Sequence, residues 1–486
     1  MGVLDNLKPA PVFRFFEEIC AIPHGSGNVQ AISDYLVAFA KERKLEVVQD
    51  EALNVIIKKP GTKGFESKEP VILQGHMDMV AVATPESGID MKTTPLQLEC
   101  DGEWISAKNT SLGGDDGVAV AIALAILDAD DIPHPPLEVV ITTEEETGMD
   151  GARAIDASHL AGKRLINIDS EDEGTLLAGC AGGGRFYARF MYEKIKRSGM
   201  MHTITVSGLK GGHSGIMAHE ERGNANVLLG RLLYELYRRE KIDYSLRSVN
   251  GGSADNVIAS VATAEVVLPS DADVSAFEAS VTKIASQIKA ELEGRDDGFT
   301  VTTDAGGKGT FVCFDSSSMK HAVKLICSLP NGVQKMSATV KGLVETSLNL
   351  GIVKTDIDRQ TMLLEYGVRS SIESAKSHLF DKLRMIAKSY GAVTETSGMY
   401  PGWTYRTDSP LRDLMVKVFE DMYGRKPAVE AVHAGVECGF FAEKIEGLDC
   451  ISLGPDMRDI HSVNEKLSVP STKRVYEYIC AVLKEM

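Results

Sequence analysis

Along this chain, apolar runs of the kind that become buried stop abruptly at acids or histidines. Leu137-Glu-Val-Val-Ile-Thr142 runs into Thr143-Glu144-Glu145-Glu146, Val71-Ile-Leu-Gln-Gly75 into His76 and Asp78, and Arg164-Leu-Ile-Asn-Ile168 into Asp169. The short run Cys450-Ile-Ser-Leu453 leads through Pro455 to His461. Such runs predict buried strands, and their polar ends then fall where open α/β sheets build their sites. Elsewhere the spacing is helical: Pro11 to Cys20, Val29 to Lys41, and Val118 to Leu127 behind the glycine-rich Ser111-Leu-Gly-Gly-Asp-Asp-Gly117. Leu45 to Gln49 and Asn54 to Lys58 predict two short strands, closed by Pro60-Gly61. Strand alternating with helix in this way implies a mixed α/β sheet.

From about Gly184 the texture changes. His202-Thr-Ile-Thr-Val206 alternates like a half-exposed strand, and Ala225 to Tyr237, Ala259 to Leu268 and Ala276 to Leu292 predict helix, strand and helix. A similar order recurs in Met319 to Leu329, Thr346 to Val353, Met362 to Arg369 and Ser374 to Ser389. The recurrence predicts one inserted α+β lid domain made of two related halves, residues 187–397. The first texture then returns, with helices over Leu411 to Met422 and Lys473 to Lys484. Residues 1–186 and 398–486 would together form one discontinuous catalytic domain.

Charge narrows the partners. The 69 acids exceed the 52 bases, for a net charge of −17, which opposes binding to nucleic acid or to an anionic membrane. The longest apolar run, Val118 to Leu127, is far short of the ~20 residues that span a bilayer. No basic segment leads into an apolar one at the N-terminus, and the eight cysteines are scattered without a C-x-x-C pair. A cytoplasmic, reducing location is expected.

Each polar residue at these run ends also has an ordinary reading. Asp115 or Asp116 could cap the following helix, Glu144 to Glu146 could be a solvated acidic loop, and a lone His76 could be structural. Taken together, however, His76, Asp115, Glu145-Glu146, Asp169 and His461 supply two imidazoles and several carboxylates. One bridging carboxylate would give three ligands to each of two divalent metals ~3.5–4 Å apart. Mixed nitrogen and oxygen donors favour zinc, with manganese or cobalt as alternatives. One of the paired glutamates is then free to act as general base on a water bridging the metals.

The strings Gln74-Gly-His-Met-Asp78, Leu112-Gly-Gly-Asp-Asp-Gly117, Glu145-Glu-Thr-Gly-Met149, Asn167-Ile-Asp-Ser-Glu171, Gly211-Gly-His-Ser-Gly215 and Gly454-Pro followed by His461-Ser462 resemble, in this order, the two-zinc family of aminoacylases, carboxypeptidases and dipeptidases. Cys180-Ala-Gly-Gly183, Val344-Glu-Thr-Ser-Leu-Asn349, Tyr400-Pro-Gly-Trp403 and His433-Ala-Gly-Val-Glu-Cys-Gly439 are most similar to its Xaa-His dipeptidase branch. The resemblance implies that His76, Asp115 and Asp169 hold one metal and His461, Asp115 and Glu146 the other. Glu145 would be the base, and Asp78 would orient His76 through a hydrogen bond. On the lid, His213 would stabilise the oxyanion, while Asn256 and Arg369 bind the substrate backbone and its C-terminal carboxylate. Glu437 is a candidate for the free amino group. The implied activity is hydrolysis of carnosine-like Xaa-His dipeptides with unblocked termini. An aminotripeptidase, an N-acyl amino-acid deacylase or a non-catalytic metal-dependent peptide-binding protein are the alternatives, and a homodimer through the lid is possible on the same pattern.

Overall fold

The computed structural model describes residues 2–486 and separates into two compact units. The first comprises the residues up to Cys180 with Trp403–Ala431 and Val436–Met486; the second is Ala181–Gly402 with the short loop Val432–Gly435. The second unit thus starts at a glycine-rich strand, Gly182–Met191, whose opening residues carry no alternation to mark them in the sequence.

In the first unit an eight-stranded sheet runs in the order Glu46–Gln49, Val55–Lys59, Leu137–Thr142, Val71–His76, Arg164–Asn167, Asp449–Ser452, Thr175–Cys180, Ala428–Val432. Its four middle strands, from Leu137–Thr142 to Asp449–Ser452, are parallel, with His76 opposite Thr142, Gln74 opposite Asn167, and Ser452 opposite Asn167. All four therefore end at one edge. Leu137–Thr142 and Val71–His76 are buried at every position, as parallel strands covered on both faces require. The helix Gly114–Asp128 packs on Val71–His76 and on the helix Ala10–Cys20. From Val118 to Leu127 it has no polar face and no residue more than 3% exposed, so it is a core helix.

A smaller antiparallel sheet orders Met457–Arg458, Lys466–Ser468, Trp104–Ala107 and Leu98–Cys100. It sets the hairpin that carries His461 beside the strand leading into Ser111–Gly117.

The second unit is built on one sheet of nine strands over its own apolar core, which includes Phe186, Leu229, Ile284, Leu350 and Tyr366. Four strands run Thr300–Phe314, Lys194–Ser207, Ala262–Leu268, Ser245–Gly251; the next four run Val344–Asp356, Thr361–Ser370, Gly182–Met191, Val393–Tyr400. Read outward from the Ser245–Gly251/Val344–Asp356 junction, the halves have the same order. Helices Ala225–Arg238 and Val274–Glu291 of one correspond to Ser316–Ser328 and Glu373–Ser389 of the other. The first half is threaded into the second, because Gly182–Met191 precedes all of it in the chain. Asn224, Asp273 and Asp315 accept N–H bonds at three of these helix starts. The long strand Thr300–Phe314 was not legible in the sequence: Asp304-Ala-Gly-Gly-Lys-Gly309 has no period, and its ladder with Lys194–Ser207 holds it extended.

Candidate metal and catalytic site

His76 closes its strand with a ring that is 1% exposed. Nδ1 lies 2.9 Å from the main-chain oxygen of Asp78, so that nitrogen donates and Nε2 turns its lone pair outward. The ring is therefore oriented by the carbonyl of Asp78 rather than by its carboxylate, which stands 3.5 Å from Nδ1. That carboxylate instead accepts from Ser26 Oγ at 2.8 Å and from the amides of Glu145 and Glu146 at 3.1 and 3.4 Å. Asp78 thus ties His76 to the turn that carries both glutamates.

Nε2 of His76 faces Asp115 Oδ1 at 3.2 Å and Asp169 Oδ1 at 3.7 Å. Nε2 of His461 faces the other oxygen, Asp115 Oδ2, at 3.2 Å and Glu146 Oε1 at 3.0 Å. One carboxylate thus presents an oxygen to each imidazole. A lone pair on Nε2 aimed at carboxylate oxygens is repulsive unless a proton or a metal cation sits between them. Against the burial that would lower it, the carboxylates of Asp115, Asp169 and Asp78 around the ring raise the pKa of His76 well above the usual value. Asp115 and Glu146 push His461 up to about 10. Burial pushes Asp169 up to about 6 despite its bond to His76. Asp115 is held low, because its bonds to the two imidazoles outweigh burial.

The donor set fits divalent metal. Ligand atoms of Asp115, Glu146 and His461 lie within 4.8 Å of one another, as do those of His76, Asp116 and Asp169, and of His76, Glu145 and Glu146. Asp116 Oδ1 is buried without a hydrogen bond, and Glu146 Oε1 faces only His461 Nε2, at 3.0 Å. These are acceptors that coordination would satisfy.

The ordinary readings fail on geometry. Neither aspartate caps the helix: Gly113 is the N-cap, and Asp115 and Asp116 depart from helical angles. The three glutamates are not one solvated loop either. Glu144, at φ 54°, turns away to accept the amide of Gly27 at 2.8 Å. Burial, with the charges of Asp169, Glu437 and Glu146 added, raises Glu145 well above the carboxylate range although His76 opposes it.

Glu437 is not placed to meet a substrate amine. It has no exposed surface, and its Oε2 accepts from Gln74 Nε2 and Thr142 Oγ1, each at 2.6 Å. Asn167 donates to Gln74 Oε1, also at 2.6 Å, so side chains tie three neighbouring strands together directly beneath the ligands. Burial pushes Glu437 up to about 7. Asp116, whose Oδ2 accepts the His76 amide at 3.2 Å, was also missed; the Asp115-Asp116 doublet was its only signal.

The second unit gathers His213, Arg369 and His433. A side chain on Gly215 would collide with the His433 carbonyl, His213 Cε1 and Arg369 Nε, at 2.5, 3.0 and 3.1 Å, so glycine is what lets them meet. The amides of Gly215 and Ile216 donate to His213 Nδ1 at 3.2 and 3.1 Å. The neutral ring must then carry its proton on Nε2, and burial with the Arg369 charge lowers its pKa and keeps it neutral. Arg369 donates to Tyr400 Oη at 2.9 Å. Asn256 is exposed; its carbonyl accepts the Ser214 amide at 2.8 Å, and Asn349 Nδ2 holds the carbonyls on either side of it.

His433 is buried with Nε2 2.7 Å from Ser347 Oγ. Burial first, then Arg369, depresses its pKa to about 3. Between pH ~6.5 and 3 the unfolded chain takes up a proton here that the folded chain refuses. Its contribution to stability is full above pH ~6.5 and drains away on acidification, by on the order of a few kcal/mol. Melting temperature followed from pH 7 to 4 should fall less steeply in His433→Asn than in the parent; equal slopes would discount the histidine.

Residues 72–485 match the model described as "Peptidase family M20/M25/M40". The chain is 36% identical to the cytosol non-specific dipeptidase of Escherichia coli K12, over 100% of this chain and 99% of that protein. It superposes on the crystal structure of aminoacylhistidine dipeptidase from Vibrio alginolyticus with a TM-score of 0.93 and 36% identity, covering 100% and 98% of the two chains. At 16% identity, aminopeptidase PepT from Bacillus cereus shares the fold, with a TM-score of 0.57 over 99% of each chain.

Proposed function

Because this chain belongs to peptidase family M20/M25/M40, we propose that it is a metal-dependent dipeptidase that hydrolyses Xaa-His dipeptides with free termini. The observation that carries this reading is Asp115, with one oxygen toward each of two imidazoles. His76, Asp115 and Asp169 would hold one metal and His461, Asp115 and Glu146 the other, with zinc favoured by the donors. Bound there, the metals would supply Lewis-acid polarisation and lower the pKa of water.

The protein's own groups do the rest. Glu145 takes a proton from the attacking water on its carboxylate and delivers it to the leaving nitrogen. Asp78 fixes the backbone of Glu145 through its amide, so the base does not wander. His213 donates from Nε2 to the developing oxyanion. Arg369, steadied by Tyr400, takes the C-terminal carboxylate in a two-pronged contact that a lysine could not make. Asn256 is the second contact on the substrate backbone. The relative named as a cytosol dipeptidase supports a cytoplasmic location. Dimerisation through an edge of the nine-stranded sheet is consistent with the length of Thr300–Phe314.

The test is to count metals per subunit by mass spectrometry and assay the same sample on β-Ala-His, a tripeptide and an N-acetyl amino acid. Two metals, with dipeptide cleavage abolished by chelator and restored by zinc, are expected. Cleavage of the tripeptide or the acyl substrate alone would replace the substrate class, and a protein without metal or hydrolysis would overturn the reading.

A further inference from the structure

The structure assigns to Glu465 the anchoring of the loop that presents the bridging aspartate, an inference that rests on the two-metal reading above. Glu465 is 3% exposed and follows His461 by four residues. One of its oxygens accepts the amides of Leu112 and Gly113 at 2.7 and 3.1 Å; the other accepts those of Gly114 and Asp115 at 2.8 and 3.3 Å. Four consecutive backbone donors converge on a single carboxylate.

Such convergence needs a particular chain path. Gly113 has φ +68°, and a side chain there would meet Met79 Sδ at 2.7 Å. A side chain on Gly114 would crowd Glu465 Oε1 at 3.3 Å. The two glycines let the loop wrap the carboxylate closely, which gives Leu112-Gly-Gly-Asp115 a reason beyond flexibility.

The small sheet aims Glu465 at that loop. Lys466–Ser468, which follows it directly, pairs on one side with Met457–Arg458 and on the other with Trp104–Ala107. Glu465 therefore joins two segments that are distant in sequence, each carrying a ligand of the same candidate metal position: Asp115 and His461. It is not one of the proposed ligands, and it faces the loop backbone rather than the substrate groups. It is a positioning residue, acting through the backbone of Asp115.

The substitutions separate position from charge. In Glu465→Gln an NH2 replaces one oxygen, so two loop amides face a donor and are left unpaired. Glu465→Asp keeps the charge but is one methylene too short to span the four amides. If anchoring is the role, both variants bind metal more weakly, by roughly 10- to 100-fold, the usual loss when a group supporting a ligand is removed.

Cobalt binding followed by its d–d absorption reads this directly, beside metal-free melting temperatures and kcat and KM at saturating cobalt. The expected result is weaker binding in both variants, an unchanged KM, and turnover largely recovered when metal saturates. Wild-type cobalt affinity in Glu465→Gln, or wild-type affinity in Glu465→Asp beside a weak Glu465→Gln, would overturn the assignment. A parent protein that binds no cobalt would instead refute the two-metal reading itself. Should neither variant fold, hydrogen exchange of the metal-free parent decides: protected amides at residues 112–115 are expected, and unprotected ones refute the anchor.

Discussion

Replacing Glu145 by glutamine is expected to lower turnover by about 10²- to 10⁴-fold, the range for a lost general base, while both metals stay bound. Glutamine keeps the shape and the backbone amide held by Asp78, so the turn at 145–146 should persist. What disappears is an oxygen able to carry a proton. Glu146 is not expected to take over, because its Oε1 already faces His461 Nε2 at 3.0 Å. Metal counts and single-turnover rates on the same sample decide the matter. A variant within tenfold of the parent would move the base elsewhere, and one that has lost metal would make Glu145 a ligand.

His213→Ala should reduce kcat by roughly 10²- to 10³-fold with little change in KM, as removal of an oxyanion donor does. The donor nitrogen is fixed by the loop: two amides occupy Nδ1, which leaves the proton on Nε2. Since burial and Arg369 lower the pKa, the ring is neutral from about pH 6.5 upward, and the deficit of the variant should be constant over pH 7 to 9. A deficit that appears in KM would make His213 a binding group, and equal turnover would remove it from the reaction.

Of the residues proposed as ligands, His76, Glu146 and Asp169 stand out because they lie at or just beyond the ends of apolar runs that a parallel sheet gathers at one edge, whereas Asp115 opens a helix behind a glycine pair and His461 sits in a hairpin. The recurrence of helix and strand in the second unit was legible for a related reason, since both halves bury the same periodic faces. Glu465 was not, and Glu437 was singled out for a substrate contact rather than for the buried bonds it makes. Each is an acid in a loop or at the start of a short helix, with no local pattern to mark it as buried; its partners lie hundreds of residues away. Asp78 meets His76 through its carbonyl at 2.9 Å, where the sequence pointed to its carboxylate. Residues two apart on a strand point the same way, but the chain turns after His76, which brings the carbonyl of Asp78 under the ring and frees the carboxylate for the glutamate turn.

The threading of one half of the second unit through the other sets an order on synthesis. Gly182–Met191 emerges from the ribosome first, yet its neighbours in the sheet are Thr361–Ser370 and Val393–Tyr400. Met191 pairs with Thr361, roughly 170 residues later, which at about 5–20 residues per second is a wait of roughly 10–35 seconds. Throughout that interval Phe186, Ala188 and Phe190, all buried in the finished protein, have no partner strand. The first half can close meanwhile, since its four strands and two helices are contiguous. Its Ser245–Gly251 edge is then the one beside which Val344–Asp356 pairs, and Gly182–Met191 stays an unpaired apolar strand until Thr361–Ser370 follows.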